Sequence, residues 1–162
     1  MPDNLSNTIA HAFADELDSA HSRIRHCVEQ LTDEQVWWRP RSDMNSIGNL
    51  VLHLTGNIKQ LIVSAIGGEP DDRDRPAEFA ARDTLPKAVL LEQLASMVER
   101  AKVTISRTTI DELCRVRRIR EFEWSGLQTI VRSVAHFRGH TQEIIHQTRT
   151  ILGEHYQFAG QR

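Results

Sequence analysis

The stretch Val134-Ala135-His136-Phe137-Arg138-Gly139-His140-Thr141-Gln142-Glu143-Ile144-Ile145 decides how this chain reads. It lies in a Pro-free run from about Gly126 to Leu152, in which Leu127, Ile130, Val131, Val134, Phe137, Ile144, Ile145, Ile151 and Leu152 return at helical steps. A helix over this run, capped by Ser125, brings His136 and His140 out on one side with Cβ atoms about 5–6 Å apart. Two imidazoles at that spacing can share one cation if other helices complete the shell. Phe137 stands where the metalloprotease helix needs a glutamate base, so that chemistry is excluded. A third ligand has to come from elsewhere in the chain.

Working outward, three more amphipathic runs precede this one. From about Ser6 to Leu31, Ile9, Phe13, Leu17, Ala20, Ile24, Val28 and Leu31 form a stripe, with Ser6 or Asn4 as cap. His21 falls within that stripe and reads as a core histidine, a candidate pocket wall at most; His11 and His26 fall on the polar side. Thr32 caps a short turn that Pro40 ends, and Trp37 and Trp38 read as a hydrophobic clamp over the bundle end. The second long helix starts at Asn45 or Ser46 and runs to about Ile66, where Gly67-Gly68 stops it. Ile47, Leu50, Val51, Leu54, Ile58, Leu61, Ile62 and Ala65 give its core stripe. His53 lies just off that stripe, on a polar flank with Ser46, Asn49 and Asn57, where a bundle can open into a cleft. Alone, His53 reads as a surface histidine; beside His136 and His140 it is the candidate third ligand.

Glu69–Pro86, with Pro70, Pro76 and Pro86 among mixed charges, reads as one long exposed crossover whose charge run Asp71–Arg75 is solvated. A third helix follows from about Pro86 to Arg107, with Ala88, Leu91, Leu94, Ala95, Val98, Ala101 and Ile105 inward. Thr108–Ser125 is irregular or partly extended. Its basic run Arg115–Arg120 reads as a charged outer face, with Val116 and Ile119 half-buried and an anion contact as the minority reading. Four long helices with one long crossover make an all-α, four-helix bundle.

The 162 residues suit a single domain spanning 1–162. A net charge of -2 gives no reason to expect nucleic acid or anionic membrane as a partner. No apolar run approaches the roughly 20 residues of a membrane span, and Met1-Pro2-Asp3-Asn4 does not open a signal peptide. Cys27 and Cys114 lack CxxC spacing and read as reduced thiols, which fits the cytoplasm.

Pro40 followed by Asn45-Ser46-Ile47-Gly48-Asn49-Leu50-Val51-Leu52-His53-Leu54 resembles the second-helix signature of the DinB-like (YfiT-like) family of inferred metalloenzymes. Val134-Ala135-His136-Phe137-Arg138-Gly139-His140 is similar to its fourth-helix signature, and Trp124 ahead of it also fits. The resemblance runs from the first helix to about Leu152 and is closest to the branch called DUF1572. It implies a four-helix bundle holding a divalent metal through His53, His136 and His140, all three of which are present. Three protein ligands leave positions open for water or substrate, the catalytic arrangement of zinc, and neutral imidazoles suit zinc and nickel alike.

Within that family, some members resemble transferases that activate a low-molecular-weight thiol, while others resemble thiol-dependent isomerases or hydrolases. The resemblance therefore implies S-transfer or hydrolysis on a small-molecule substrate, with a thiol as co-substrate in the first case. Asn49 and Asn57 are candidates for orienting ligands or substrate, and Glu143, one turn past His140, is the nearest candidate base, though it reads equally as a solvated glutamate. His146 points away from the ligand side. The competing expectation is a non-catalytic homodimeric bundle that holds metal for stability or incidentally. Leu52 and Val63, an apolar face left over on the second helix, point to a homodimer, which is compatible with catalysis and so does not decide between the two.

Overall fold

The computed structural model describes residues 4–160. Four long helices carry the architecture: α1 (Asn4–Glu29), α3 (Ile47–Ile58), α5 (Lys87–Arg107) and α7 (Gly126–Leu152). Three short helices, α2 (Asp33–Trp37), α4 (Arg75–Ala80) and α6 (Ile110–Cys114), sit in the connections, and strands β1 (Val116–Ile119) and β2 (Phe122–Ser125) form one antiparallel hairpin. Helix α1 packs against α5 and α7, and α3 packs against the same two, so α1 and α3 stand at opposite corners of the bundle. The expected all-α four-helix bundle is what forms.

Each helix start has a local chemical cause. Thr32, Ser46 and Ser125 accept the N3 backbone N–H of α2, α3 and α7, while Gln35, Asn49 and Gln128 bond back to the cap N–H, three capping boxes in one chain. Ser6 does not cap α1; the helix already includes Asn4, Ser6 is buried within it, and its cap lies outside the described residues. The core is formed by side chains such as Leu17, Ile24, Leu50, Leu54, Leu94 and Phe137, all fully enclosed.

Several inward assignments shift. In α5, Leu90 and Met97 are buried where Ala88 was expected and is exposed. In α7, Leu127 and Val131 face solvent at 38% and 46% exposure, and Thr129, Ser133, Thr141, Gln147 and Thr148 are buried in their region of the helix or beyond it. Trp37 is enclosed, donates through Nε1 to the Leu85 carbonyl (2.9 Å) and lies against Gly48, where a Cβ would meet its ring at 2.9 Å. Trp38, expected to share that clamp, is 42% exposed. Val116 is 63% exposed rather than half-buried, whereas Ile119 is buried.

Two departures matter for function. After Ile58, the helix continues as a π-helical segment, Lys59–Ser64, with Ala65 and Gly67 donating to the carbonyls of Gln60 and Ile62, five residues back. The crossover is exposed along most of its length, as expected, but it is not all loop. Asp74 caps α4, which packs on α3 and buries Glu78. Leu52 lies beside α4 and stays half-buried, whereas Val63 is 1% exposed, so only part of the apolar face offered as a dimer surface is open.

Candidate metal centre

His53 is placed by the start of α3. The Ser46–Asn49 capping box fixes the first turn, and Asn49 is wholly buried: its Oδ1 accepts from the Ser46 N–H and hydroxyl (3.1 and 2.6 Å) and from Arg39 (2.5 Å). Its Nδ2 donates to the carbonyls of Glu78 and Ala81 (2.9 and 3.0 Å), stapling α4 to α3. His136 and His140 project together from α7, with ring centroids 4.5 Å apart. His53 faces them from α3, 5.0 and 5.3 Å away by the same measure. One nitrogen from each ring lies within 4.8 Å of the other two. The three histidines named from the sequence therefore meet.

The outer edges of two rings are held by carboxylates. His53 Nδ1 lies 3.0 Å from Glu78 Oε2, and His140 Nδ1 lies 2.8 Å from Glu143 Oε2. An ionised carboxylate can only accept, so His140 meets Glu143 through an Nδ1–H, while His53 Nδ1 lies between Glu78 and a terminal nitrogen of Arg73, 3.0 Å from each. Burial alone would push the Glu78 carboxyl up, but hydrogen bonds from Arg73 and His53 outweigh it and hold it below the usual carboxylate range. Its hydrogen bond with His140 likewise holds Glu143 down. Arg73, whose side chain is 4% exposed, clamps Glu78 with two bonds (Nε to Oε1 2.7 Å, a terminal nitrogen to Oε2 2.8 Å) and donates to Gln60 Oε1 (3.0 Å). This pair sits directly over Gly56, where a Cβ would come within 2.0 Å of Glu78 Oε1. Gly56 is three residues past His53, on the same side of α3, and its missing side chain is what lets the clamp reach the ring. Phe79 covers His53 from the crossover side, centroids 4.7 Å apart.

His53 Nε2 and His136 Nε2 approach to 2.8 Å. Burial first, then the charges of His140, His53, Arg73 and Arg75, pull the pKa of His136 down to about 4, so the ring is neutral at pH 7. Imidazoles converging from two helices, two of them backed by carboxylates, are the donor chemistry of a divalent transition-metal site. The residues fit such an ion.

Beside the histidines opens a cleft of ≈ 200 Å³, bordered by Asn57, Leu61, Arg75, Arg120 and Phe122 together with His53 and His136. Asn57, expected to orient ligand or substrate, accepts from the Ser133 hydroxyl (3.0 Å) at its rim. Glu143 lies outside that lining and serves His140. A separate cavity of ≈ 500 Å³ beside Gly67, Arg100 and Glu112 has no histidine in its wall. His21 is half-buried among Arg25, Asp18, Glu99 and Lys102, and His146 is exposed; neither joins the cluster.

Sequence reading missed Arg73, Glu78, Gln60 and Phe79. The charge run was expected to be solvated, yet Arg73 is its buried member. The available signal was Gly56, a helix-interior glycine on the side of His53, which marks the close approach of another group.

No curated protein matches the chain. Among solved structures, a conserved protein from Enterococcus faecalis is similar in fold, with a TM-score of 0.75 and 17% sequence identity, covering 90% of this chain and 98% of that one. Residues 4–160 match the family described as protein of unknown function DUF1572. The chain, a helical bundle with three clustered histidines, belongs to the DUF1572 family.

Proposed function

We propose that this protein is a DinB-like metalloenzyme, a single domain that holds zinc or nickel through His53, His136 and His140 and acts on a small molecule by thiol-dependent S-transfer or by hydrolysis. The observation carrying this reading is the convergence of three imidazole nitrogens within 4.8 Å beside a cleft, with Glu78 and Glu143 fixing two of the rings from behind. A divalent ion bound there supplies Lewis-acid chemistry, lowering the pKa of a water or thiol so that it is nucleophilic at neutral pH.

The chain's own residues do the rest. Glu78 and Glu143 hold the Nδ1 edges of His53 and His140. Arg73 neutralises Glu78, so the buried carboxylate does not stand alone. Phe79 closes the crossover side of His53 against water, while Asn57 offers the cleft an amide whose oxygen is already engaged by Ser133. Glu143, with its lowered pKa and its bond to His140, is better suited to orienting a ligand than to taking a proton from substrate. The unpaired thiols Cys27 and Cys114 accord with a reducing compartment. The dimeric, non-catalytic alternative keeps a half-buried Leu52 as its sequence argument, since Val63 is enclosed.

The test is the metal content of the purified protein by inductively coupled plasma mass spectrometry, beside a His53→Ala/His136→Ala double variant. Near-stoichiometric zinc or nickel in the parent, lost in the variant, is the expected result. A parent that takes up neither metal, even after incubation with both, would sink the proposal.

A further inference from the structure

We propose that the mouth of this cleft binds the carboxylate of a small substrate through Arg75 and Arg120, with the apolar body of that substrate lying on Phe122. The inference rests on the metal reading only for what becomes of the anion once bound. The binding itself uses groups that touch no proposed ligand.

Three observations carry it. First, the charge balance of the cleft is uneven. Arg73 is committed to Glu78, but among the described residues neither Arg75 nor Arg120 pairs with a carboxylate; Arg75 lies only over the Phe79 ring, 4.9 Å from its centroid. Arg117, Lys59 and Arg100 by contrast sit on the carboxylates of Glu112, Asp72 and Glu69, while Arg132 and Arg149 lie over aromatic rings. Glu121 is the one acidic residue of the lining without such a role, so two free guanidiniums face one carboxylate. That imbalance suits a singly charged anion better than a phosphate dianion.

Second, Arg120 occupies a backbone position that disfavours it. Ile119 pairs with Phe122, leaving Arg120-Glu121 as a two-residue hairpin loop, and φ of Arg120 is +55° while that of Glu121 is not positive. A positive φ puts Arg120 in the left-handed region, where glycine is usual and a side chain costs stability. Strain of this kind collects at binding sites, where the side chain it retains is used. Here the retained side chain is a guanidinium at the lip of the cleft, the group best shaped for a carboxylate.

Third, the cleft supplies an apolar surface. Phe122 is 45% exposed and stacked on Trp124, with ring centroids 4.7 Å apart and planes within 9°. At ≈ 200 Å³ the space lies below the roughly 300 Å³ at which drug-sized sites begin, so it takes a small acid or the acidic end of a longer molecule.

The experiment titrates metal-free protein with phenylacetate and with its neutral isostere phenylacetamide, followed by NMR chemical shifts. Phenylacetate should bind about tenfold more tightly than the amide, and Arg75→Gln and Arg120→Gly should each weaken phenylacetate, but not the amide, by about tenfold, the scale of a lost charge-assisted hydrogen bond. Because glycine suits the turn, Arg120→Gly keeps the fold, and its loss of affinity cannot be ascribed to unfolding. Equal affinity for acid and amide, or phenylacetate binding unchanged in both variants, would overturn the proposal. Metal is absent throughout, so a failure here leaves the metal-content result standing. Carboxylate binding by a protein that takes up no metal would overturn only the metal reading.

Discussion

His53 and His140 present the same arrangement twice, each with Nδ1 on a glutamate oxygen, yet the two pairs are built by opposite routes. Glu143 comes from the same helix, three residues on, and its side chain is 41% exposed. Glu78 comes from the crossover, 25 residues away in sequence; it is buried, clamped by Arg73 and seated over a glycine. The local pair costs the fold little and contributes little, because water screens it. The remote pair ties a connecting segment to the bundle and loses that tie if either charge is removed. A metal ligand here is positioned as much by the segment covering the bundle as by the helix that bears it.

Three substitutions can break or sharpen that contrast. The largest effect belongs to Glu78→Ala, which leaves the Arg73 guanidinium buried without its counter-charge. Chemical denaturation should show a loss of about 3–5 kcal/mol, and zinc affinity should fall about 10–100-fold. Replacing both partners, as Arg73→Met/Glu78→Leu, should restore much of the stability but none of the affinity. If affinity returned as well, Glu78 would be a packing residue and not an orienting one. Next comes Gly56→Ala. Helix propensity favours alanine by about 1 kcal/mol, but its Cβ would collide with Glu78, and overpacking costs about 1–3 kcal/mol. A net destabilisation with weakened zinc binding is expected, and a stabilised variant would show that the clamp need not sit where it does. The smallest effect is expected from Glu143→Ala: a change in stability below about 1 kcal/mol and a drop in zinc affinity at the low end, about tenfold. An effect as large as that of Glu78→Ala would erase the distinction between the two pairs.

The same contrast explains what was legible in the sequence. His136 and His140 share a helix, so four-residue spacing alone puts them together, and Glu143 follows from the same arithmetic. Ser46 and Asn49 mark the start of α3 by their side-chain chemistry, and His53 follows from its place on the polar flank. Arg73 and Glu78 were not legible, because hydropathy assigns charges to solvent and their burial depends on partners 20 and 25 residues earlier. The exposed Leu127 and Val131 show the converse error. Their positions fit an apolar stripe, but the bundle turns the adjacent Thr129 and Ser133 inward instead. The hairpin was read only as partly extended, since four-residue strands carry too little alternation to declare themselves.

The π-helical segment Lys59–Ser64 has a consequence for how this chain tolerates insertions and deletions. One residue more or less in a helix turns everything beyond it by about 100°, and a π turn takes up such an extra residue without ending the helix. From this segment Gln60 reaches Arg73 and Asp71, and Leu61 borders the cleft. Deleting one residue between Leu61 and Ser64 would let the stretch close as a regular α-helix, keeping the phase beyond it and changing only how Gln60 and Leu61 sit toward Arg73 and the cleft. In this stretch, chain length is itself part of the site.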